Sequence, residues 1–280
     1  MTSRTVLTTG GNGGIGLATA LEVAKRGHQS IVTVRSAAAR EVVARAAREV
    51  VARAARERAV AIEALELDVT DARACADVID RVRPDVLVNN AGYALFGAVE
   101  TTTEDDAKAL FDTLLFASVR LARLSLPHMR RRGWGRVLFM SSLFGRVAAP
   151  PLGWYAAAKH AIEGIADVLR MEVARDGIQV VVIEPGGVRS PMLEKAERES
   201  RRKEANRYAE SLRTAAERLQ QTDMFRADPA LVGRAVVEAI EARNPPPRML
   251  VGYDAQIIGR LFPVVPTWLS DRVTRLVQGL

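Results

Sequence analysis

Thr9-Gly10-Gly11-Asn12-Gly13-Gly14-Ile15-Gly16 closes the first apolar run of the chain and opens its first helical pattern. Glycines at such a junction have a physical use. They allow a tight turn, and they let backbone amides approach a pyrophosphate at a helix N-terminus, where free N–H groups and the helix dipole favour anions. Alone the stretch is weak, because a merely tight strand-to-helix turn reads the same way. Its weight comes from its surroundings.

Short β-branched or apolar runs alternate with longer helical patterns around it. Thr5–Thr9, Ser30–Val34, Ala61–Leu67, Asp85–Asn89, Arg136–Met140 and Gln179–Glu184 read as strands. Helical patterns cover Ile15–Arg26, Ala37–Arg58, Asp71–Val82, Glu104–Arg131 and Tyr155–Arg175. Such alternation builds βαβ units and implies an α/β fold, a Rossmann-type doubly wound parallel sheet with helices on both faces. Continuous apolar strands such as Val180–Ile183 fit a sheet covered on both sides. Gly27 falls where a helix ends on a left-handed residue, Thr101-Thr-Thr-Glu104 has capping-box spacing, and Gly133 and Gly135 end the long fourth helix.

One domain is expected, with a dinucleotide-binding core over residues 1–192 and a helical lid and extension over 193–280. Leu193–Gln221 reads as charged helix, Ala227-Asp-Pro229 opens an amphipathic helix to Ala242, and Met249–Val251 reads as an edge strand. The tail, Gln256–Leu280, could cover the substrate site, form a subunit interface or rest on a membrane surface; covering the site is preferred. Residues 41–48 recur unchanged as 49–56. Two helical turns repeated once make no solenoid, and the simplest reading is a lengthened surface helix.

Composition narrows the function. The 280 residues are 48% hydrophobic and 26% charged, enough for one α/β core. No uncharged apolar stretch reaches about 18 residues, so no spanning helix is expected. A net charge of +7 raises nucleic-acid binding, but lysine occurs only at 25, 108, 159, 195 and 203. The positive charge is mostly arginine interleaved with glutamate, as on solvated helix faces, and no nucleic-acid motif accompanies it. No nucleic-acid partner is expected. His28, His128 and His160 are too dispersed for a metal site, and the Ser141-Ser142 pair lacks a hydrolase setting. The single cysteine, Cys75, excludes an internal disulfide and fits a reducing compartment. The first residues show no signal-peptide pattern, so a cytoplasmic location is expected.

Two further local features carry chemistry. The second strand ends Thr33-Val34-Arg35-Ser36, with no carboxylate to bond the ribose 2′-hydroxyl of NAD. Arg35 suits a 2′-phosphate, so NADP(H) is the expected cofactor and NAD(H) is disfavoured; an ordinary exposed arginine is the bland alternative. Tyr155-Ala-Ala-Ala-Lys159 places a phenol and an ammonium on one helix face. A nearby lysine and a cationic oxidised nicotinamide are both expected to lower the phenol pKa, each unit being about 1.4 kcal/mol. Such a tyrosine can exchange a proton with a carbonyl or alcohol oxygen while hydride moves at carbon.

Thr9-Gly10…Gly14-Ile15-Gly16, Asp68-Val69, Asn89-Asn90-Ala91-Gly92, Ser142, Tyr155…Lys159 and Pro185-Gly186 stand in order along the chain. With this set, the chain resembles the classical short-chain dehydrogenases/reductases over residues 3 to about 192, and is similar to their retinol- and hydroxysteroid-dehydrogenase-like members. The resemblance implies that Ser142 bonds the substrate oxygen, Tyr155 is the general acid/base, and Lys159 binds the nicotinamide ribose and tunes Tyr155. It implies a cofactor loop of Gly10, Asn12, Gly13, Gly14, Ile15 and Gly16, and adenine contacts from Asp68 and Val69. Asn90, Ala91 and Gly92 would support the cofactor-side strand. Pro185, Gly186 and Val188 would line the nicotinamide, and Ser190 would replace the usual threonine that bonds its carboxamide. Homodimers or homotetramers through Glu104–Arg131 and Tyr155–Arg175 are also implied.

The implied activity is NADP(H)-dependent interconversion of a carbonyl and an alcohol on a fairly apolar small molecule. Leu143, Phe144, Val147, Leu152, Trp154, Met192 and Leu193 surround the motif, though they could equally be core. One departure matters. The family carries Phe-Asp-x-Asn in the fourth long helix, where asparagine holds a water that links the active-site lysine to solvent; here the segment reads Phe111-Asp112-Thr113-Leu114. Either another group maintains the relay or turnover is slowed. The intact Ser-Tyr-Lys set predicts reduced rather than abolished catalysis, and Leu114→Asn is expected to raise turnover. The contrasting reading is a weakly catalytic, cofactor-sensing regulatory protein.

Overall fold

The structure, a computed structural model, describes residues 2–53, 62–189 and 226–278, with scattered positions between 207 and 217. Its strands are β1 (Thr5–Thr8), β2 (Gln29–Val34), β3 (Ile62–Glu66), β4 (Val86–Asn89), β5 (Gly135–Met140), β6 (Ile178–Pro185) and β7 (Arg248–Val251). They form one sheet in the order β3-β2-β1-β4-β5-β6-β7, with every neighbouring pair parallel. The chain steps outward from β1 to β3, then returns to the other side of β1 with β4. That reversal leaves a crevice beyond the carboxyl ends of β1 and β4, where open α/β sheets bind ligands.

The helices are α1 (Gly14–Lys25), α2 (Ala37–Arg53), α3 (Ala72–Val82), α4 (Glu104–Phe111), α5 (Ala117–Arg132), α6 (Gly153–Glu172), α7 (Pro229–Glu241), α8 (Tyr253–Leu261) and α9 (Thr267–Gln278). Strand side chains alternate between two cores, as the period of two demands. Leu7, Leu87, Val137, Phe139, Val180 and Val182 pack under α3, α5 and α6. Val6, Val86, Val88, Leu138, Val181 and Ile183 pack against Val23 of α1 and Val232, Val236 and Ile240 of α7. Each such side chain contributes about 1.5–3 kcal/mol on burial, so continuous apolar strands are needed to hold both layers.

Helix ends follow local chemistry. Gly27 and Gly133 take left-handed φ values of 82° and 62°. The cap of the fourth helix differs from the expected box. Thr103 is the N-cap, accepting from the Asp106 amide at 3.1 Å, while the Thr101 and Thr102 hydroxyls turn back onto the Ala98 carbonyl. The expected helix Glu104–Arg131 runs without a break to Arg132, with a π-helical turn at Asp112–Phe116 between α4 and α5. Leu114 lies in it, buried, and its carbonyl accepts the Ser118 hydroxyl at 2.7 Å. A Cβ on Gly92 would stand 2.3 Å from Leu114 Cδ2, so glycine there makes room for the leucine.

The first copy of the repeat lies in α2 and turns Val43 into a small cluster with Ala20, Val32 and Val34. That agrees with a surface helix; residues 54–56 lie outside the described residues. So do residues 193–206 of the expected lid. β7 adds the expected edge strand. Arg136 of β5 is almost fully buried, and its guanidinium donates to the carbonyls of Ala239, Ile240 and Ala242 at the end of α7, and to Gln179. A helix C-terminus favours a cation there. Burial pulls this arginine down to about 10, which leaves it charged at neutral pH.

Candidate active site

The glycine segment lies at the crevice and is pinned from β4. The Thr9 hydroxyl accepts the amides of Asn90 and Ala91, each at 2.9 Å, and Asn90 Nδ2 donates to the carbonyls of Thr9 at 2.8 Å and Gly10 at 3.2 Å. Gly10 is left-handed at φ 72°. A Cβ on Gly16 would stand 2.1 Å from the Gly10 carbonyl oxygen. Only glycine lets α1 start this close to the loop. Asn12 and Gly13 are exposed, no side chain caps α1, and nothing lies within 4 Å of a Cβ placed on Gly13. These uncapped amides at a helix N-terminus, with open space before them, fit a dinucleotide pyrophosphate. Ile15 instead packs partly buried on the α7-side core.

The adenosine end falls where the sequence places it. Arg35 is exposed just after β2, and Asp68 is exposed beyond β3. The Asp68 carboxylate accepts the Thr70 hydroxyl at 2.7 Å and amide at 2.9 Å. These bonds, with the Arg35 charge, hold it below the usual carboxylate range. Val69 is buried, its carbonyl bonded by Arg120 at 3.0 Å. Cys75 is buried beside it, and burial pushes its thiol up, as for an inert packing residue.

Ser142, Tyr155 and Lys159 converge at the carboxyl ends of β5 and β6. Ser142 follows β5; its hydroxyl accepts from the Phe144 amide at 3.2 Å and donates to the Pro185 carbonyl at 3.5 Å. Tyr155 stands in the first turn of α6, its ring edge-on to Phe144 with centroids 6.2 Å apart. Burial pushes its phenol up to about 12, opposed by the facing Ser142 hydroxyl. Lys159 follows one turn later; burial pulls it down to about 8, opposed by the charge of Glu163. In the chain by itself burial thus acts against the lowering expected from the lysine together with an oxidised nicotinamide. Lys159 Nζ lies 5.5 Å from the Tyr155 ring centroid and donates to the Met140 carbonyl at 2.6 Å, and desolvation is the largest influence on the phenol.

The Pro185-Gly186-Gly187-Val188 turn passes beside this cluster. It is held by a residue the sequence reading missed. Asp254, at the start of α8, accepts the Gly187 amide at 2.6 Å. A Cβ on Gly186 would stand 2.0 Å from Asp254 Oδ1. Gly186 also donates to the Val251 carbonyl at 2.9 Å, and Val188 is buried. Ser190, Met192 and Leu193 lie outside the described residues. Of the apolar candidates, Leu143, Val147 and Leu152 are buried as core, while Phe144 and Trp154 are partly buried against it. Among the described residues no helix is long and apolar enough to cross a membrane, and no His, Cys, Asp and Glu cluster could hold a metal.

A crevice at the strand reversal, an uncapped glycine loop and a converging Ser-Tyr-Lys set define a dinucleotide-dependent oxidoreductase of the short-chain type. The chain belongs to the short chain dehydrogenase family, whose model matches residues 4–201. It is 27% identical over 278 residues to the 3-ketodihydrosphingosine reductase of Bacteroides thetaiotaomicron, covering 98% of this chain and 96% of that one. It is 34% identical over 198 residues to the human 17-beta-hydroxysteroid dehydrogenase type 1, covering 70% of this chain and 60% of that one. A single-residue variant of actinorhodin polyketide ketoreductase with NADPH superposes with a TM-score of 0.70 at 28% identity, covering 85% of this chain and 90% of that one.

Proposed function

We propose that the protein is an NADP(H)-dependent reductase that interconverts a carbonyl and an alcohol on a fairly apolar small molecule. The observation that carries this is the convergence of Ser142, Tyr155 and Lys159 beside the Pro185–Val188 turn, in the same sheet-end crevice as the glycine loop. The nicotinamide group, when bound, supplies or accepts the hydride. The Gly10–Gly16 loop would hold the pyrophosphate, with Asp68 and Val69 at the adenine and Asn90, Ala91 and Gly92 along the β4 side. Arg35, an exposed cation with no carboxylate beside it on β2, would take the 2′-phosphate of NADP(H), and NAD(H) offers it nothing to bind.

At the reacting end, the Ser142 hydroxyl donates to the substrate oxygen and fixes it beside the Tyr155 phenol. A phenol at about 12 is protonated at neutral pH, so it is set as the acid for reduction. Lys159, bonded to Met140, is placed to hold the nicotinamide ribose and to steady the phenolate that forms. Pro185, Gly186 and Val188 would form the wall behind the nicotinamide, with Ser190 on its carboxamide. The names of the Bacteroides and human relatives support carbonyl–alcohol chemistry on an apolar molecule. Residues 193–280 would supply the substrate cover, and α5 and α6 a homo-oligomer contact.

Leu114, apolar and buried where the family has asparagine, favours one other reading, a cofactor sensor with little turnover. A screen of NADPH oxidation against long-chain and cyclic ketones, with Tyr155→Phe alongside, separates the two. The reductase loses roughly 10²–10⁴-fold in kcat without the phenol while keeping its NADPH affinity. A Tyr155→Phe variant as active as the parent, or a parent inert towards every carbonyl, would refute the reductase reading.

A further inference from the structure

Lys159, Glu163 and Asp167 stand four residues apart on α6 and share one face, which runs from the catalytic cluster to the surface. Lys159 and Glu163 are buried, whereas the Asp167 side chain is 37% exposed. One oxygen of Glu163, Oε2, accepts Arg248 Nε at 3.1 Å. The same guanidinium reaches Asp167 at 2.6 Å and Glu184 at 3.4 Å. Glu184 also pairs with Arg146 at 2.6 Å, and Asp167 with Arg170 at 2.9 Å. Three carboxylates thus share Arg248, and of these Glu163 alone has no second guanidinium among the described residues.

Its other oxygen, Oε1, is buried and makes no well-formed hydrogen bond among the described residues, nor does Ser141 Oγ, and the one group each has facing it is the other. The two lie at one spot. A Cβ on Gly145 would stand 2.5 Å from Ser141 Oγ and 2.9 Å from Glu163 Oε1, so glycine leaves that space open. Ser141 directly follows Met140, whose carbonyl holds the Lys159 ammonium. Burial and the nearby Glu184 charge push the Glu163 carboxyl well above the usual carboxylate range, opposed by Ser141 and Arg248. A protonated carboxyl has an O–H to offer, which a carboxylate lacks.

We propose that Glu163 is the internal proton store of this centre, refilling Lys159 from solvent along this face of α6 and replacing the relay that Leu114 cannot support. Glu163 touches neither substrate nor cofactor; it acts through Lys159 and is a positioning residue. The proton balance closes. Each carbonyl reduced takes one hydride at carbon and one proton at oxygen, and the Tyr155 phenol gives that proton. The Lys159 ammonium returns a proton to the phenolate, the Glu163 carboxyl, one helical turn away and not paired directly with Lys159, returns one to the Lys159 amine through an intervening water, and water at the exposed Asp167 end returns one to Glu163. Oxidation of the alcohol runs the same steps backwards. On this account Leu114→Asn adds little to the parent, and the turnover gain expected of it is reserved for chains that lack Glu163.

The inference rests on the reductase reading, so its test has a readout of its own. Infrared titration of the free chain follows protonated carboxyls by their C=O stretch. A band titrating in the neutral range is expected in the parent and missing from Glu163→Gln. Ser141→Ala, which removes a hydroxyl without touching charge, should move its midpoint upward. In the turnover assay Glu163→Gln should lower kcat at neutral pH roughly tenfold and move the alkaline limb of its pH profile to lower pH, because Lys159 then loses the charge that raises it. Glu163→Asp should restore part of both, and Leu114→Asn in the Glu163→Gln background should restore kcat. An active enzyme with no such band, or with an unchanged pH profile in Glu163→Gln, overturns the proton store. A protein that shows the band yet reduces no carbonyl overturns the reductase reading instead.

Discussion

Arg248→Met removes the one cation shared by three carboxylates while keeping most of its apolar stem. The guanidinium lies 3.1 Å from Glu163, 2.6 Å from Asp167 and 3.4 Å from Glu184, and Glu184 is fully buried. Taking one partner from a buried pair costs about 3–5 kcal/mol, because the other charge stays behind. Arg248 is itself a quarter exposed, and Arg146 remains at 2.6 Å from Glu184. The loss should therefore lie at the lower end, about 3 kcal/mol, out of a total of about 5–15 kcal/mol. The sign of its pH dependence follows from Glu163, whose folded pKa is raised. Between the ordinary carboxylate value and the raised one, the native state holds a proton that the unfolded state releases, so stability falls as pH rises across that interval. Arg248 opposes the rise; without it the interval widens, and each added unit costs about 1.4 kcal/mol once pH exceeds it. Urea unfolding near pH 5 and pH 8 should show the greater loss at the higher pH. Equal losses at the two pH values, a greater loss near pH 5, or a loss below about 1 kcal/mol throughout would refute the reasoning.

Two further substitutions test the cofactor geometry. Asp254→Ala leaves the Gly187 amide without its acceptor, at about 1–3 kcal/mol, and should weaken NADPH roughly tenfold by calorimetry, with Asp254→Asn restoring most of it. Gly16→Ala drives a methyl into the Gly10 carbonyl oxygen, 2.1 Å away, where the backbone on both sides is fixed. It should lower the melting temperature by the equivalent of about 1–3 kcal/mol and abolish measurable NADPH binding, and retained binding would contradict the close approach.

The strands were legible because a parallel sheet covered on both faces needs unbroken apolar runs, and Val180–Ile183 is one. The glycine loop and the Tyr155–Lys159 pair were legible because their spacing is local. What was hidden is mostly non-local. Asp254 bonds an amide 67 residues away, and Arg248 reaches Glu163 across 85; neither contact leaves a periodicity to read. The π turn was hidden because Asp112–Phe116 has the composition of ordinary helix, and what accommodates Leu114 is Gly92 on another element. The Thr103 cap was obscured by three consecutive threonines, of which the two earlier ones bond Ala98. The direction of the Tyr155 shift depended on burial, which the fold sets. Lys159, Glu163 and Asp167 did carry a signal, titratable residues at four-residue spacing that continue the helix face of the catalytic lysine.

The most direct test is calorimetric titration of the purified protein with NADPH and NADH, which needs no substrate. The account predicts NADPH binding at least roughly tenfold tighter than NADH, an advantage of about 1.4 kcal/mol or more that Arg35→Asp should erase. A preference for NADH would overturn the role of Arg35 alone. Binding of neither would contradict the account at its centre, because the loop from Gly10 to Gly16 would then not be a dinucleotide site.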